Sequence, residues 1–330
     1  MITETVGASD MANLTSDLMI RYASAGERHR LRSNSRPDSL DMSTGPVDAL
    51  IHGLPPGLKG EVWLDSDAIG SVAYSQFWND EEVERQKPWH VVANGFEKME
   101  QYVESMGFVD DLTACVDRLR ARGKFVGGAG IDVAAGVLWL LPSLFRIVNP
   151  DHVTCVEYSA HRLLKLGPEV LKKNGVPLEK VTLALGSFYD IKAPAGSMDF
   201  AVLCQAFHHA DHPDQLLEQI ARVLKPDGVI IVLGEDAVDW TSKHDVLHAL
   251  RYLACRVLPK ALRRSFLYSP YGPPRTLIAR SQDIFPPDPV LGDHAYLRRE
   301  YGGIFGARGF QTEFVDRPGS HTLSLVAYRK

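Results

Sequence analysis

Short continuous apolar runs recur through the middle of the chain. Runs of this kind predict strands that are buried on both faces, as in a parallel sheet. The predicted strands are 131–133, 153–157, 181–185, 198–204 and 229–233. Two further apolar runs near the end, 310–315 and 323–328, predict a closing strand pair joined by a turn at Pro318-Gly319. The pattern therefore predicts seven strands.

Apolar residues at helical spacing separate these strands. The predicted helices are 137–147, 160–174 (bent or broken at Pro168) and 214–224, the last followed by a turn at 225–228. Two helices that break near Gly107 are predicted over 93–122, a long helix over 241–264, and another over 296–307. Alternating strands and helices favour an α/β fold with a doubly wound, mostly parallel sheet.

Composition narrows the class of protein. The chain has 330 residues, of which 45% are hydrophobic and 23% charged, as in ordinary globular proteins. A net charge of −5 argues against a nucleic-acid partner. The four cysteines form no CxxC pair, so neither a zinc site nor a disulfide framework is expected. No apolar run predicts a membrane span and no signal peptide is visible, so we expect a cytoplasmic protein.

Candidate chemistry begins where the predicted strands end. Small residues follow the first strand at Ala134 and Gly136, and a predicted helix begins there, which would let a ligand approach the backbone closely. Glu157 ends the second strand, where a carboxylate can accept both hydroxyls of a ribose. A dinucleotide-binding motif at 127–130 is not expected, because those glycines precede the strand instead of following it.

The order of these segments resembles one known family. The stretch 131–139, the acidic strand end at Glu157, the segment 186–190, and the turn Lys-Pro-Asp-Gly at 225–228 before the fifth strand resemble the class I S-adenosylmethionine-dependent methyltransferases that act on small molecules. The resemblance covers roughly 125–236 and the closing strand pair. It implies a Rossmann-like methyltransferase fold with S-adenosyl-L-methionine as the cofactor.

The resemblance also implies cofactor-binding residues. They are Asp132, Ala134 and Gly136 in the loop after the first strand, Glu157 on the ribose, Tyr158 beside the adenine, Ser187 and Phe188 at the adenine edge, and Cys204 and Gln205 on the methionine side. The family's three alternating glycine positions hold Ala134, Gly136 and Leu138 here. Alanine can take the position of Ala134 if its φ stays negative, and we expect Leu138 to narrow the space beside the cofactor.

Candidates for the chemistry itself lie after the fourth and fifth strands. His208 or His209 could act as a general base, since imidazole titrates near neutral pH, or both could cap the turn. A metal site at these histidines is not expected. Candidate substrate-binding residues are Trp78, Glu235, Tyr271 and His294, against the alternatives of a solvated Glu235 and of aromatic residues packed in their own segments. Arg-rich residues 21–36 predict a clamp for an acidic partner or a solvated tail.

Five segments are predicted from these patterns: a flexible segment 1–45, a helical extension or lid 46–122, the cofactor-binding core 123–236, a helical cap 237–300 inserted after the fifth strand, and closing elements 301–330. The expected function is methylation of a small or medium metabolite, of natural-product or glycan type, at oxygen before nitrogen or carbon. The alternatives are a non-catalytic binding module and a protein or RNA methyltransferase. The expected partner is the small-molecule acceptor, with a homodimer as one option for assembly.

Overall fold

The computed structural model describes residues 45–65, 84–235, 237–238, 294, 296–317 and 322–329. The chain divides into two compact units. The larger unit comprises Asp41–Ala237 and Arg299–Lys330, and the smaller comprises Met1–Leu40 and Val238–Arg298. Most of the smaller unit lies outside the described residues, including the Arg-rich segment 21–36 and the predicted helix 241–264.

One eight-stranded sheet organises the larger unit. Its order is β1-β4-β3-β2-β5-β6-β10-β9, parallel from β1 to β6 and antiparallel at β10 and β9. The strands are β1 Lys59–Val62, β2 Ala129–Val133, β3 His152–Glu157, β4 Val181–Leu185, β5 Met198–Cys204, β6 Leu224–Glu235, β9 Phe310–Phe314 and β10 Leu323–Arg329. A separate two-stranded sheet is formed by β7 Ala237–Val238 and β8 Tyr296–Leu297.

Helices cover the sheet and precede it. They are α1 Gly45–His52, α2 Val91–Asn94, α3 Phe96–Met106, α4 Phe108–Ala121, α5 Leu141–Ile147, a π-helix His161–Leu166, α6 Gly167–Lys173, α7 Pro213–Val223 and α8 Arg298–Ala307. Short 3₁₀ turns lie at Leu178–Lys180 and Phe207–His209. No helix among these described residues is long and apolar enough to cross a membrane.

The doubly wound, mostly parallel fold predicted from the sequence is confirmed, and the strand count is corrected from seven to eight. The additional strand, β1, comes from the segment that was predicted to be helical and pairs in parallel with β4, with Lys59 opposite Thr182. The break between two helices near Gly107 is confirmed: Gly107 has φ +69 and separates α3 from α4.

Several predicted boundaries differ from the structure. The helix expected from residue 137 begins at Leu141, and the one expected from residue 296 begins at Arg298. The predicted turn 225–228 lies within β6, where it forms a bulge. Leu224 pairs with Met198 and Val229 with Phe200, so residues 225–228 lie opposite Asp199 alone. Lys225 Nζ contacts both carboxylate oxygens of Asp199 at 2.8 Å and stabilises the bulge.

The core lies on both faces of the parallel strands. All five residues of β4 are buried, as expected for a strand that is covered on both faces. On one face α4 packs over β6 and β10 through Leu112, Val116 and Leu119, none of which is exposed. This packing joins the helices before the sheet to the strands that end at the candidate site.

Candidate functional site

The strand order creates a crevice at the carboxyl edge of the sheet. From β2 the chain winds outwards through β3 and β4, and then returns to place β5 on the other side of β2. In open α/β sheets, ligands bind outside the carboxyl ends of the strands at such a switch point. The segments that follow β2, β3, β4 and β5 therefore form the candidate site.

The turn after β2 has an unusual backbone. Ala134, Gly136 and Leu138 have φ values of +56, +56 and +64. Ala134 therefore adopts the left-handed conformation, so the condition that its φ stays negative is not met. Non-glycine residues adopt this conformation at a cost, and such strain is concentrated at functional sites.

Leu138 does not narrow this turn, contrary to the sequence-based expectation. Its side chain is fully buried in the core, and it lies so close to Gly167 that a Cβ there would be 2.7 Å from Leu138 Cδ1. By contrast, a Cβ added to Gly136 would meet no atom within 4 Å. The backbone beside Gly136 is therefore open for a ligand to approach.

Two carboxylates lie beside the turn. Glu157 is 6% exposed; its Oε2 accepts a hydrogen bond from the Gly136 N–H and its Oε1 one from the Ser159 N–H, both at 2.8 Å. Asp132 is 2% exposed, and its Oδ2 has no hydrogen-bond partner among the described residues. Burial, reinforced by the negative charge of Glu157, raises the pKa of Asp132 to about 7.

The candidates on the adenine side also follow strand ends. Tyr158, next to Glu157, is half-buried against the core. After β4, the Ser187 hydroxyl accepts a hydrogen bond from the Tyr189 N–H at 3.2 Å, and the Phe188 ring meets that of Tyr189 edge-on at 4.6 Å. Ser187 and Phe188 are half-buried.

After β5, Cys204 and Gln205 meet a residue from the helical extension. Gln205 has φ +50, and its Oε1 accepts a hydrogen bond from the Tyr102 hydroxyl on α3 at 2.7 Å. Burial raises the pKa of Tyr102 to about 12 and, with Asp132 nearby, raises that of the Cys204 thiol well above its usual range. Both side chains are therefore neutral at physiological pH. The sequence reasoning missed Tyr102, although it lies three residues after the core residue Met99.

Both candidate histidines lie in the 3₁₀ turn that follows β5. His208 is 7% exposed, and its Nδ1 is 2.9 Å from Oε2 of the fully buried Glu235. His209 is half-buried, and its ring meets that of His208 edge-on with centroids 4.3 Å apart. Glu235, predicted as a substrate-binding residue, thus lies against the turn that carries the histidines.

The three remaining candidates belong to the smaller unit or lie outside the described residues. His294 belongs to the smaller unit, where it is buried and its ring stacks on that of Tyr296 at 6.0 Å. Trp78 and Tyr271 lie outside the described residues. Among the residues that the structure does describe, no three His, Cys, Asp or Glu side chains are grouped to hold a metal ion.

A buried ionic cluster, also missed by the sequence reasoning, fixes the segment before α2 to the π-helix after β3. The Glu84 carboxylate is 0% exposed and accepts two hydrogen bonds from the Arg162 guanidinium, at 2.9 and 2.8 Å, and one from Lys87. Trp89 Nε1 is 3.3 Å from the same carboxylate. Part of the segment predicted as a lid is therefore attached to Arg162, which lies five residues after Glu157 in the chain.

The strand order defines the class of this protein as doubly wound α/β, with the candidate site at the topological switch point of the sheet. Within that class, residues 131–232 match the family described as "Methyltransferase domain". The matched residues contain most of β2, all of β3 to β5, most of β6 and every strand end of the crevice. Residues 131–232 are therefore similar to a methyltransferase domain, in agreement with the resemblance to the class I S-adenosylmethionine-dependent methyltransferases. No curated protein sequence matches the chain.

Several solved structures are similar to this chain. The mitomycin 7-O-methyltransferase MmcR is 12% identical with a TM-score of 0.48, covering 87% of this chain and 67% of that one. A putative O-methyltransferase from Nostoc punctiforme is 17% identical with a TM-score of 0.47, covering 73% and 60%. A methyltransferase from Aquifex aeolicus is 17% identical with a TM-score of 0.41, covering 64% and 87%. With these TM-scores below 0.5, the assignment rests on the family match and the strand order.

The cofactor of this family, S-adenosylmethionine, fits the residues of the crevice. The open face of Gly136 allows close approach to the backbone, and the unpartnered Oδ2 of Asp132 is a buried polar atom beside it. Each oxygen of Glu157 accepts one hydrogen bond, and a carboxylate oxygen has room for a second. The site therefore offers an open turn and acceptor oxygens to a ligand that carries hydroxyl and ammonium groups.

Proposed function

We propose that this protein is an S-adenosylmethionine-dependent methyltransferase that methylates a hydroxyl group of a small or medium metabolite, of natural-product or glycan type. The observation that carries this proposal is the juxtaposition of an open glycine turn with the Glu157 carboxylate, at the switch point of the sheet and within the residues that match a methyltransferase domain. The acceptor class is an inference from the site and from the net charge of −5, which argues against a nucleic-acid acceptor.

The proposed cofactor contacts follow the crevice. Glu157 accepts the ribose hydroxyls, with Tyr158, Ser187 and Phe188 around the adenine. Asp132, Ala134 and Gly136 contact the methionine portion from one side, and Cys204 and Gln205 from the other. Tyr102 supports this second side, because its hydroxyl holds the Gln205 amide at 2.7 Å.

Methyl transfer to a hydroxyl group requires a general base. Bound S-adenosylmethionine supplies an electrophilic methyl group on a sulfonium. The protein then has to hold the acceptor oxygen in line with that methyl group, exclude water and remove one proton. His208 supports this role, because it lies in the turn directly after β5, at the carboxyl edge where the acceptor would meet the cofactor.

The experiment is methyl transfer with the full chain, S-adenosylmethionine and a panel of hydroxyl, amine and activated-carbon acceptors. S-adenosylhomocysteine formation and product mass are measured together. We expect a hydroxyl acceptor to be methylated. Transfer to amines or carbon alone would refute the oxygen preference, whereas cofactor binding without any transfer would indicate a binding module.

A further inference from the structure

The Glu235 carboxylate is enclosed by one short turn. Oε1 accepts hydrogen bonds from the N–H groups of Ala206 and Phe207, each at 3.0 Å. Oε2 accepts one from the N–H of His208 at 3.0 Å and lies 2.9 Å from His208 Nδ1. An ionised carboxylate has about four lone-pair sites. These contacts fill them, so Glu235 cannot bind a substrate hydroxyl or amine without releasing the turn, contrary to its predicted substrate role.

These contacts fix the protonation pattern of His208. Burial alone would raise the pKa of Glu235, but the His208 imidazole and the N–H groups of Phe207 and Ala206 lower it overall. The carboxylate is therefore ionised and can only accept hydrogen bonds. Nδ1 of His208 must then carry the proton, which leaves Nε2 as the acceptor nitrogen of the neutral ring.

Glu235 and the turn that carries His208 are each held by hydrogen bonds or packing. The backbone of Glu235 pairs with Leu323 of β10, and the N–H of Gln205 donates to the Leu233 carbonyl at 2.9 Å. Phe207, fully buried, packs against Tyr301 and Phe305 of α8 with ring centroids 5.4 Å away in each case. A base that is held by packing and hydrogen bonds on both sides needs no reordering before proton transfer.

We propose that Glu235 is the positioning residue for His208: it holds the imidazole as the Nδ1–H tautomer, so that Nε2 acts as the base in the methyl transfer proposed above. The inference rests on that proposed function. The acceptor hydroxyl gives its proton to Nε2, and the oxygen electron pair forms the bond to the methyl carbon. The methyl–sulfur bond breaks with its electron pair left on sulfur, giving S-adenosylhomocysteine, and the imidazolium returns its proton to solvent.

This proposal separates His208 from His209. All four contacts of the Glu235 carboxylate lie within Ala206–His208. An amide at position 235 has one acceptor oxygen and one donor nitrogen, so Glu235→Gln must turn an N–H₂ group towards backbone N–H donors on one side. The variant therefore loses either the hydrogen bonds from the N–H groups of Ala206 and Phe207 or those from His208. In either case it also loses the negative charge beside the imidazole.

The first test needs no acceptor. The ring nitrogens of His208 are read by ¹H–¹⁵N spectroscopy of histidine-labelled full-length protein at pH 8, with His208→Ala used to assign its signals. We expect the Nδ1–H tautomer in the wild-type protein and a mixture of tautomers in Glu235→Gln. An Nε2–H tautomer in the wild-type protein overturns the proposal, even if the variant fails to fold.

The second test uses single-turnover methyl transfer to a hydroxyl acceptor across pH 5.5–9. For Glu235→Gln we expect a rate lower by about 10- to 100-fold, since a misplaced reacting group costs up to about 100-fold. We also expect the acid limb of its pH–rate profile to lie about one pH unit lower, because the negative charge of Glu235, which favours the imidazolium form of His208, has been removed. His208→Ala combined with Glu235→Gln should be no slower than His208→Ala alone. Glu218→Gln, at an exposed position of α7, is the matched control.

An unmoved acid limb, or additive losses in the double variant, would show that Glu235 acts on structure alone and not through His208. Calorimetry with S-adenosylhomocysteine distinguishes a failure of the proposed function from a failure of the proposed role of Glu235. If the wild-type protein binds the product but transfers no methyl group, the proposed function fails, while the tautomer measurement still decides the role of Glu235. Binding of the product should be unchanged in Glu235→Gln, since the carboxylate contacts only the turn.

Discussion

The N–H of Gly136 donates a hydrogen bond to Oε2 of Glu157 across 2.8 Å, joining the turn after β2 to the end of β3. The same carboxylate accepts from the Ser159 N–H through Oε1, so it is held from both sides in one orientation. A preorganised carboxylate loses little conformational entropy when a ligand binds. This relationship explains how an acidic strand end and a small-residue turn, each common by itself, can form one site.

Asp132→Asn should change how stability depends on pH. The pKa of Asp132 is raised from 3.8 to about 7, so the folded state binds the proton more tightly and stability falls as pH rises between these values. The variant lacks this dependence. Its stability relative to the wild-type protein should therefore rise by about 2 kcal/mol between pH 5.5 and pH 8.

Urea unfolding of the cofactor-free protein at the two pH values checks this result. The exposed variant Asp227→Asn is the control and should follow the wild-type profile. If the difference between Asp132→Asn and the wild-type protein is the same at both pH values, the raised pKa of Asp132 is wrong.

Two substitutions in the turn after β2 should act in opposite directions. Ala134→Gly places the residue that tolerates φ +56 at a strained position, so we expect stability to be unchanged or to increase by up to about 1 kcal/mol. Leu138→Ala removes a fully buried side chain that packs on Gly167, and should cost about 2–5 kcal/mol. Denaturant unfolding measures both, and a tolerated Leu138→Ala would contradict the core position of Leu138.

Glu84→Gln should weaken the attachment of the segment before α2. Burial would raise the pKa of Glu84, but Arg162 and Lys87 lower it from 4.5 to about 2. A lowered folded-state pKa adds stability above about pH 4.5 that is lost as pH falls towards 2. The free energy of unfolding of the variant should therefore be about 3 kcal/mol below that of the wild-type protein at pH 7. At pH 3 this loss should be smaller by about 2 kcal/mol.

The exposed Glu179→Gln is the matched control for this prediction. Denaturant unfolding at pH 7 and pH 3 provides the measurement, because it reports the difference from the wild-type protein directly. A loss of equal size at both pH values would mean that Glu84 acts by packing and not by charge.

The sequence predicts the buried strands well, because residues covered on both faces must be apolar. β1 could not be predicted in this way: Lys-Gly-Glu-Val at 59–62 has no apolar pattern, and its pairing with the edge of β4 comes from backbone hydrogen bonds. The late start of α5 has a similar cause. Residues 137–140 are apolar like a helix face, yet Leu138 is in the left-handed conformation within the turn.

The sequence indicates candidate residues where a chemically suitable residue type lies at or soon after a strand end, as at Glu157 and His208. The site was not predictable where partners come from distant segments. The role of Glu235 depends on N–H groups 27 to 29 residues earlier in the chain, and Tyr102 meets Gln205 across 103 residues. Backbone donors and long-range contacts leave no pattern in a single sequence.

Calorimetric titration with S-adenosylmethionine and S-adenosylhomocysteine is the most direct test of whether the protein binds this cofactor through Glu157. The account predicts that the wild-type protein binds both ligands and that Glu157→Ala weakens binding at least tenfold, since a lost charge-assisted contact costs about 1.5–3 kcal/mol. The exposed variant Glu179→Ala should bind like the wild-type protein. No binding by the folded wild-type protein, or unchanged affinity in a folded Glu157→Ala, would contradict the account.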